Sequence, residues 1–315
     1  MPIEDNKYRM DFVVETQVID EKKHIFLFKM IPDPRRYEKR TIGGEQGFYD
    51  KYDKIFFSDK SLAKAAKTLI GKPMYAPSKE PLNLKQYFVD ATQRIRKSLE
   101  SDIEWKPELD RGNTFLQLNI GRKLMFVVLY IDIAGSTHIS RVLSDIAQRT
   151  LITSFLREMT LCVDAHGGYV HKYTGDGLIA FFPAEVIGGV TDNAVDCAMV
   201  MRLLNIHVLN PLLKEKRYPL VDFRIGIDSG ETQIVGLGAE NVKSTPDLLG
   251  YTMNLASKIC GICPPNTIVI GESVFRHLYV TRKEHFKEAN MPKEKWNYLD
   301  VKTNRVYPLF LLAPD

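Results

Sequence analysis

The stretch "GGYVHKYTGDGLIAFF", residues 167–182, has Asp176 between two glycines, with residues of strand character on both sides. An Asp-Gly pair between two such runs is a strong signal for a tight β-hairpin. The question is whether Asp176 is only the polar tip of that hairpin or part of a binding site.

A second stretch, "KLMFVVLYIDI" (residues 123–133), stays apolar until Asp132 and predicts a central strand covered on both faces. If the two strands are neighbours, Asp132 and Asp176 could meet at one edge of the sheet. Two such carboxylates repel each other, and a divalent cation with a preference for hard oxygen ligands, Mg²⁺ or Mn²⁺, would remove the repulsion. The alternative gives Asp176 to a turn and Asp132 to a helix cap, and spacing alone favours neither.

The turn after Asp132, "IAGST", has small side chains and precedes a predicted helix. Backbone N–H groups at Gly135, Ser136 and Thr137 would suit a polyphosphate at the start of that helix. Together with the two carboxylates, this turn makes a phosphate-handling site the natural hypothesis.

Composition limits the class of protein. The chain has 315 residues, 44% hydrophobic and 26% charged, which predicts a globular protein of about two domains. We find no apolar run long enough to span a bilayer and no signal peptide, so a soluble, cytoplasmic protein without membrane contact is expected. The net charge of +4 is spread along the chain, which does not indicate nucleic-acid binding.

The four cysteines are Cys162, Cys197, Cys260 and Cys263. Only the last two form a CxxC pair, and neither a second pair nor histidines at ligand spacing accompany it. Reduced, buried thiols are therefore expected.

The sequence changes character near residue 120. Residues 1–120 predict a small α+β region without a chemical motif, and residues 121–315 a second α+β domain in which helices pack on a sheet. In the first region we expect strands at 24–31 and 52–58, helices at 58–71 and 82–101, a loop at 71–81 and a linker at 104–115. In the second, after the hairpin, we expect a helix at 192–215, two strands within 223–238 around Asp228, Ser229 and Gly230, a helix at 254–263, a strand and turn at 266–274 and a closing strand at 306–312.

Four ordered motifs carry a resemblance to a known family. "FVVLYIDIAGSTHIS", "GGYVHKYTGDGLIAFF", "FRIGIDSGETQIVGLG" and "DLLGYTMNLASKI" resemble segments of the class III nucleotidyl cyclases, the adenylate and guanylate cyclase catalytic domain. The resemblance covers about residues 121–315. It implies a ferredoxin-like, palm-type domain with an antiparallel-rich sheet. The α+β region before it lies outside the resemblance, and its position alone suggests a regulatory role.

The resemblance also implies a reaction. Asp132, Asp176 and the carbonyl of Ile133 would hold two divalent ions, Mg²⁺ or Mn²⁺. One ion would help to deprotonate the ribose 3′-hydroxyl and the other would steady the triphosphate, so that a nucleoside triphosphate yields a 3′,5′-cyclic nucleotide and pyrophosphate. Arg224 would bind phosphate, although it could instead pair with a nearby carboxylate such as Asp222 or Asp228.

Base recognition is implied by two further positions. Lys172 and Asp247 match the pair that reads adenine, because a lysine donates to a ring nitrogen and a carboxylate accepts from the exocyclic amine. Outside the family frame, Lys172 would be a solvated strand residue and Asp247 a turn or helix-start residue. ATP is therefore the expected substrate.

Three further residues match catalytic positions of the family. Asn254 would orient the ribose, and Lys302, or else Arg305, would contact the triphosphate. Lys258 stands four residues after Asn254, where the family usually has an arginine that stabilises the transition state. Lysine keeps the charge but loses the planar fork of donors, so it cannot bind two phosphate oxygens in the way that an arginine does.

Because the family's metal and base-reading residues lie on opposite surfaces of the domain, the resemblance implies a head-to-tail homodimer with shared active sites. Two alternatives stay open. One is a pyrimidine cyclase acting on UTP or CTP in an anti-phage signalling system, motivated by Lys258. The other is an inactive cyclase fold that serves as a nucleotide-binding regulatory module.

Overall fold

A computed structural model describes residues 9–20, 25–69, 82–100, 110–184, 187–239, 243–292, 294–300 and 303–313. The chain falls into two units, the first formed by Met1–Ala76 with Arg276–His285 and the second by Pro77–Phe275 with Phe286–Asp315. The extent of the catalytic domain, residues 121–315, stays a prediction.

The first unit is built from short antiparallel strands. Its described elements are β1 (Phe12–Asp20), β2 (Ile25–Pro32), β3 (Tyr37–Ile42), β4 (Glu45–Asp50), β5 (Phe56–Ser58), α1 (Asp59–Leu69) and α10 (Val280–Lys283). The first two strands pair with each other, and β3, β4 and β5 form a separate sheet. The predicted strands at 24–31 and 52–58 and the helix at 58–71 are therefore confirmed with shifted ends, whereas the loop predicted at 71–81 lies outside the described residues.

A buried charge cluster lies inside the first unit. The Arg36 side chain is fully buried, and its guanidinium contacts Asp11, Asp50 and Asp53 at 3.1, 2.8 and 2.6 Å. A buried guanidinium is tolerated only when carboxylates satisfy its N–H donors in this way.

The second unit contains the stretches that carry the predicted site. Its helices are α2 (Leu84–Glu100), α3 (Arg111–Leu118), α4 (Ser136–Val142), α5 (Asp145–Ala165), α6 (Ile187–Leu204), α7 (Asn210–Glu215), α8 (Tyr251–Ile262) and most of α9 (Glu272–His277), whose last two residues belong to the first unit, with a π-helical turn at Asn205–Leu209. Its strands are β6 (Lys123–Ile133), β7 (Tyr169–Tyr173), β8 (Leu178–Ala184), β9 (Phe223–Ala239), β10 (Lys243–Leu249), β11 (Thr267–Gly271), β12 (Phe286–Glu288) and β13 (Leu309–Leu312).

These strands form one sheet in the order β12-β13-β11-β9-β6-β8-β7, with β10 paired to β9. All pairs are antiparallel except β11 with β9. The four residues Phe126, Val127, Val128 and Leu129 of β6 are fully buried, as expected for a strand covered on both faces. The predicted α+β fold, with helices on an antiparallel-rich sheet, is confirmed.

Helix α8 lies unusually close to the sheet. A Cβ atom at Gly226 of β9 would overlap the backbone nitrogen of Cys260 and lie 2.6 Å from the carbonyl oxygen of Ala256. Glycine at this strand position therefore allows the helix backbone to approach the strand. Buried side chains of α8, β6, β8 and β9 then form a common apolar cluster.

The expectation of two strands within 223–238 was wrong, because β9 runs unbroken through Asp228, Ser229 and Gly230. Asp228 stays in the strand because Ser273 and Tyr307 donate hydrogen bonds to its Oδ1 at 2.5 and 2.9 Å. Burial raises the pKa of Asp228 to about 6, against the effect of these hydrogen bonds. A polar stretch can thus remain inside a sheet when neighbouring elements supply hydroxyl groups.

The linker predicted at 104–115 was wrong from residue 111 onward, where α3 begins; residues 101–109 lie outside the described part. The side chain of Asp110 caps this helix by accepting from the backbone N–H of Asn113 at 2.9 Å. Leu116 of the helix is buried in the apolar cluster on the sheet. The predicted helix at 192–215 is also present, divided by the π-helical turn.

The four cysteines are buried and free, as predicted. Burial raises the pKa of the Cys162 and Cys260 thiols to about 12, so both stay protonated at neutral pH. In the described residues, none of the helices is both long and apolar enough to cross a membrane.

Replacement of Gly226 by alanine should destabilise the second unit by about 1–3 kcal/mol, because the new methyl group overlaps the backbone of α8. Urea unfolding followed by circular dichroism measures the change. Gly236→Ala is the matched control on the same strand, since its Cβ would meet its nearest neighbour, Ser244 Oγ, at 3.5 Å. Equal effects of the two substitutions would contradict the close approach of α8.

Candidate active site

Asp132 lies at the end of β6, directly opposite Arg224 of β9 in the strand register. The Nη2 atom of Arg224 is 3.6 Å from the Oδ2 atom of Asp132. The Asp132 side chain is 40% exposed, so the carboxylate faces solvent at the end of β6. The strand prediction and the position of Asp132 at its end are confirmed.

The β7–β8 hairpin brings Asp176 to the same end of β6. Strand β8 runs antiparallel to β6 with Leu178 opposite Ile131, so the residues before Leu178 lie beside the end of β6. Gly175 has a φ of +92°, in the left-handed region that favours glycine. A Cβ at Gly177 would overlap the carbonyl oxygen of Ile131, so this glycine lets the turn approach β6.

The two carboxyl groups act on each other. Burial raises the pKa of Asp132, the negative charge of Asp176 raises it further, and Arg224 opposes both effects. In the described part of the chain there is no group of three or more histidine, cysteine or acidic side chains placed to hold a metal. Two aspartates fit an ion such as Mg²⁺, which takes few protein ligands and keeps positions for phosphate oxygens.

The small-residue turn follows directly. Gly135 has a φ of +73° and precedes α4, which begins at Ser136, while Ile133 is buried. The roles of Gly135, Ser136 and Thr137 in phosphate binding, and of the Ile133 carbonyl in metal binding, stay predictions.

A second group of predicted residues meets elsewhere on the sheet. Lys172 of β7 donates to Oδ2 of Asp247 at 2.9 Å. Asp247 belongs to β10, a strand that the sequence analysis missed, and lies opposite Val235 of β9. The structure therefore joins the two residues that the resemblance pairs.

Sequence reasoning missed His171. Its Nε2 atom is 2.8 Å from Oδ1 of Asp247, and its side chain is only 4% exposed. Neighbouring residues of a regular strand point to opposite faces, so Lys172 and His171 of a regular β7 would not share a partner. An irregularity in the β7–β8 register between Val170 and Lys172 makes this possible, and no signal in the sequence marks it.

Helix α3 was also missed as part of the site. It packs on β7 through two contacts. Gly112 comes so close that a Cβ atom there would overlap the carbonyl oxygen of Val170. The ring of Phe115 stacks on that of Tyr169, with 5.4 Å between the ring centroids. Leu116 shares an apolar cluster with Leu248 of β10. The helix thus supports both strands that carry the Lys172–Asp247 pair.

Asn254 and Lys258 lie one turn apart on α8, both exposed. The Nζ atom of Lys258 is 5.0 Å from the centroid of the Tyr298 ring. Lys302 lies outside the described residues, whereas Arg305 is described and exposed. The catalytic roles of these residues stay predictions.

Within the described residues, no hydrogen bond or ion pair joins the Asp132–Asp176–Arg224 group to the His171–Lys172–Asp247 group. The first group combines two carboxylates with one guanidinium. The second has an excess of hydrogen-bond donors around one carboxylate.

The family model of the adenylate and guanylate cyclase catalytic domain matches residues 121–303. The chain belongs to this family. A cytidylate cyclase of Escherichia coli is 24% identical to this chain over 237 residues, which cover 70% of this chain and 49% of the relative. An adenylate cyclase of Anabaena cylindrica is 25% identical over 200 residues, covering 59% of the chain and 38% of the relative. The chain thus spans about half or less of the length of these relatives.

A solved structure gives the same fold. The crystal structure of the adenylyl cyclase CyaB from P. aeruginosa aligns with a TM-score of 0.52 at 21% identity, covering 62% of this chain and 96% of that chain. The cyclase-domain fold predicted from the four motifs is confirmed.

We expect Asp176→Asn to make the metal-free protein slightly more stable, by less than about 1 kcal/mol, because like-charge repulsion disappears between two partly exposed groups. Mn²⁺ should then raise the melting temperature of the wild type and not that of the variant. Glu231→Gln, which changes a carboxylate paired with Lys123 near the start of β6, is the control. Equal Mn²⁺ stabilisation of wild type and Asp176→Asn would contradict a metal site at these aspartates.

Proposed function

We propose that this protein is a nucleotidyl cyclase that converts a nucleoside triphosphate into a 3′,5′-cyclic nucleotide and pyrophosphate, with ATP as the preferred substrate. The ribose 3′-oxygen would attack the α-phosphorus, a new O–P bond would form, and the bond to the bridging oxygen of pyrophosphate would break. The proton of the 3′-hydroxyl would pass to solvent in the same step. The observation that carries the proposal is that Asp132 and Asp176 meet beside Arg224 at the end of β6.

Asp132 and Asp176, with the Ile133 carbonyl, are the residues that would hold two Mg²⁺ or Mn²⁺ ions. When bound, such ions lower the pKa of an attacking hydroxyl and neutralise charge on a leaving pyrophosphate. Arg224 would bind phosphate oxygens, since among the described residues the only contact of its guanidinium at hydrogen-bond distance is Nη1 donating to the Gly261 carbonyl at 3.3 Å.

Asn254 and Lys258 would act on the sugar and the reacting phosphate. The exposed amide of Asn254 can both donate to and accept from ribose hydroxyls. Lys258 would supply a positive charge to the transition state as a point cation, without the two parallel hydrogen bonds of an arginine. Gly135, Ser136 and Thr137 would offer backbone N–H groups to the triphosphate, and Lys302 a further charge.

The Lys172–Asp247 pair would read the base. A lysine that donates and a carboxylate that accepts suit a base with a ring-nitrogen acceptor beside an exocyclic amine. Adenine and cytosine both have this order, whereas guanine and uracil have a carbonyl beside a ring N–H and reverse it. The pair therefore favours ATP or CTP over GTP and UTP.

CTP is the second candidate substrate on two observations. The base-reading pair is compatible with cytosine. The similarity to the Escherichia coli cytidylate cyclase covers 70% of the chain, which is a larger share of the chain than residues 121–315 alone. That similarity therefore extends into the N-terminal region. A pyrimidine-specific cyclase of an anti-phage signalling system remains the alternative to an adenylate cyclase.

The active sites would be shared between the two chains of a head-to-tail homodimer. Asp132, Asp176 and Arg224 of one chain would face the base-reading and ribose-binding residues of the other. Exposed apolar side chains support such an interface: Leu118 is 80% exposed, Leu249 60% and Leu237 49%. Leu237 lies on β9 opposite Thr245, Leu249 is the last residue of β10, and Leu118 ends α3.

Residues 1–120 would regulate the catalytic domain at 121–315. The support is that α3, which precedes residue 121, packs on the strands of the base-reading pair. A displacement of α3 would therefore act on substrate recognition directly.

Incubation of the full chain with Mn²⁺ and each of the four ribonucleoside triphosphates, with products identified by mass spectrometry, tests the activity. Cyclic AMP should be the main product and cyclic CMP the second, and Asp176→Ala should lower the rate about a hundredfold or more. Asp247→Asn should reduce the preference for ATP over GTP, because an amide can donate to a carbonyl as well as accept from an amine. Cyclic CMP in excess over cyclic AMP would replace ATP by CTP, and the absence of every cyclic product with bound nucleotide would favour an inactive regulatory module.

Mixing Asp176→Ala chains with Asn254→Ala chains tests the shared site. Each variant dimer lacks both sites, but a mixed dimer has one intact site, so random exchange should restore about a quarter of wild-type activity. Gel filtration verifies that dimers form, and mixing two preparations of Asp176→Ala is the control. Mixed dimers without activity would contradict an active site built from two chains.

A further inference from the structure

His171 and Lys172 are neighbours in β7, yet both reach Asp247. The register pairs Val170 with Ala180 and Lys172 with Ile179, so three consecutive residues of β7 oppose two of β8. A bulge of this kind re-aims a side chain that would otherwise point to the opposite face. The local irregularity thus places an imidazole and an ammonium group on one carboxylate.

The two oxygens of Asp247 have different surroundings. Oδ1 accepts from Nε2 of His171 at 2.8 Å and from the backbone N–H of Leu248 at 2.7 Å. Oδ2 accepts from Lys172, whose side chain is 45% exposed. Oδ1 is therefore committed to buried donors, and Oδ2 is the oxygen beside the exposed ammonium, where a ligand can reach.

The protonation states fit this assignment. Burial works to raise the pKa of Asp247, but hydrogen bonds from Lys172, Leu248 and His171 outweigh it and the pKa is lowered. Burial lowers the pKa of His171, against the hydrogen bond to Asp247; the other charged groups acting on the ring are Lys172 and Asp110. The imidazole is therefore neutral at pH 7, and Nε2 must carry its proton because an ionised carboxylate only accepts.

The ring of His171 is also held from its other side. Its centroid is 6.2 Å from that of Phe181, a fully buried residue of β8, with the two planes at 75°. The edge-to-face contact limits the rotation of the imidazole. A rigid, buried donor thus holds Oδ1 in one orientation.

We propose that His171 is a positioning residue for base selection: by holding Oδ1 of Asp247 it turns Oδ2 toward the base as an acceptor, and so favours bases that carry an exocyclic amine. The inference rests on the proposed function, because Asp247 selects a base only if this chain binds a nucleotide. His171 itself does not touch the substrate. Its loss should therefore change substrate affinity and preference rather than the chemical step.

The test compares His171→Phe, which keeps an aromatic ring against Phe181, with His171→Gln, whose amide can still donate to Oδ1. For His171→Phe we expect the KM for ATP to rise roughly tenfold and the preference for ATP over GTP to fall by a similar factor, with kcat within about twofold, since a hydrogen bond to a charged group is lost. His171→Gln should recover most of both. His207→Phe, at an exposed histidine of the π-helical turn, is the matched control.

A double-mutant comparison separates positioning from a general effect on folding. If His171 acts only through Asp247, His171→Phe should change the ATP/GTP preference of the wild type but not that of Asp247→Asn. Should His171→Phe fail to fold by circular dichroism, His171→Leu and His171→Gln carry the comparison. Wild-type KM and preference in folded His171→Phe or His171→Leu would overturn the inference while leaving the cyclase activity intact.

The failure of the proposed function gives a different result. If the wild type forms no cyclic product, equilibrium dialysis of ATP, CTP and GTP measures the same selection as binding. A lower ATP/GTP affinity ratio in His171→Phe than in the wild type would still support the positioning role. An unchanged ratio, or no nucleotide bound by the wild type, would overturn it.

Discussion

The antiparallel register of β6 with both of its neighbours is the constraint on which the rest of this structure depends. Pairing with β9 sets Arg224 opposite Asp132, and pairing with β8 brings the Gly175–Gly177 turn to the end of the same strand. A shift by one residue in either pair would turn the side chains to the opposite face. The carboxylates of Asp132 and Asp176 consequently meet where β6 ends, in a place that one strand alone could not define.

The two groups of polar residues differ in their balance of charge, and this difference matches the chemistry proposed for them. Near Asp132, two carboxylates meet and the one guanidinium beside them lies 3.6 Å from Asp132, so the site has too little positive charge and a cation would stabilise it. Around Asp247, a single carboxylate receives hydrogen bonds from Lys172, His171 and the backbone of Leu248. That site is already neutralised, which suits an uncharged base rather than a metal ion.

Structural support for the base-reading group comes from outside the cyclase motifs. Helix α3 precedes residue 121 and contacts β7 through Gly112 and Phe115. This packing of α3 on β7 is the basis for proposing that the region before residue 121 regulates substrate recognition.

The sequence by itself determined β6 with Asp132 at its end, the Asp176 hairpin and the approximate helices, because each depends on local patterns of apolar residues, glycines and caps. The cyclase fold followed instead from the resemblance of four ordered motifs to a known family. Sequence reasoning failed at β9, where buried hydroxyls of Ser273 and Tyr307 keep Asp228 within one strand, and at α3, where a short capped helix resembled a linker. Only the tertiary structure decided that His171 joins Lys172 on Asp247, because a bulge reverses the alternation that sequence reasoning assumes. It also decided which oxygen of Asp247 stays accessible, since that depends on donors brought together from β7 and β10.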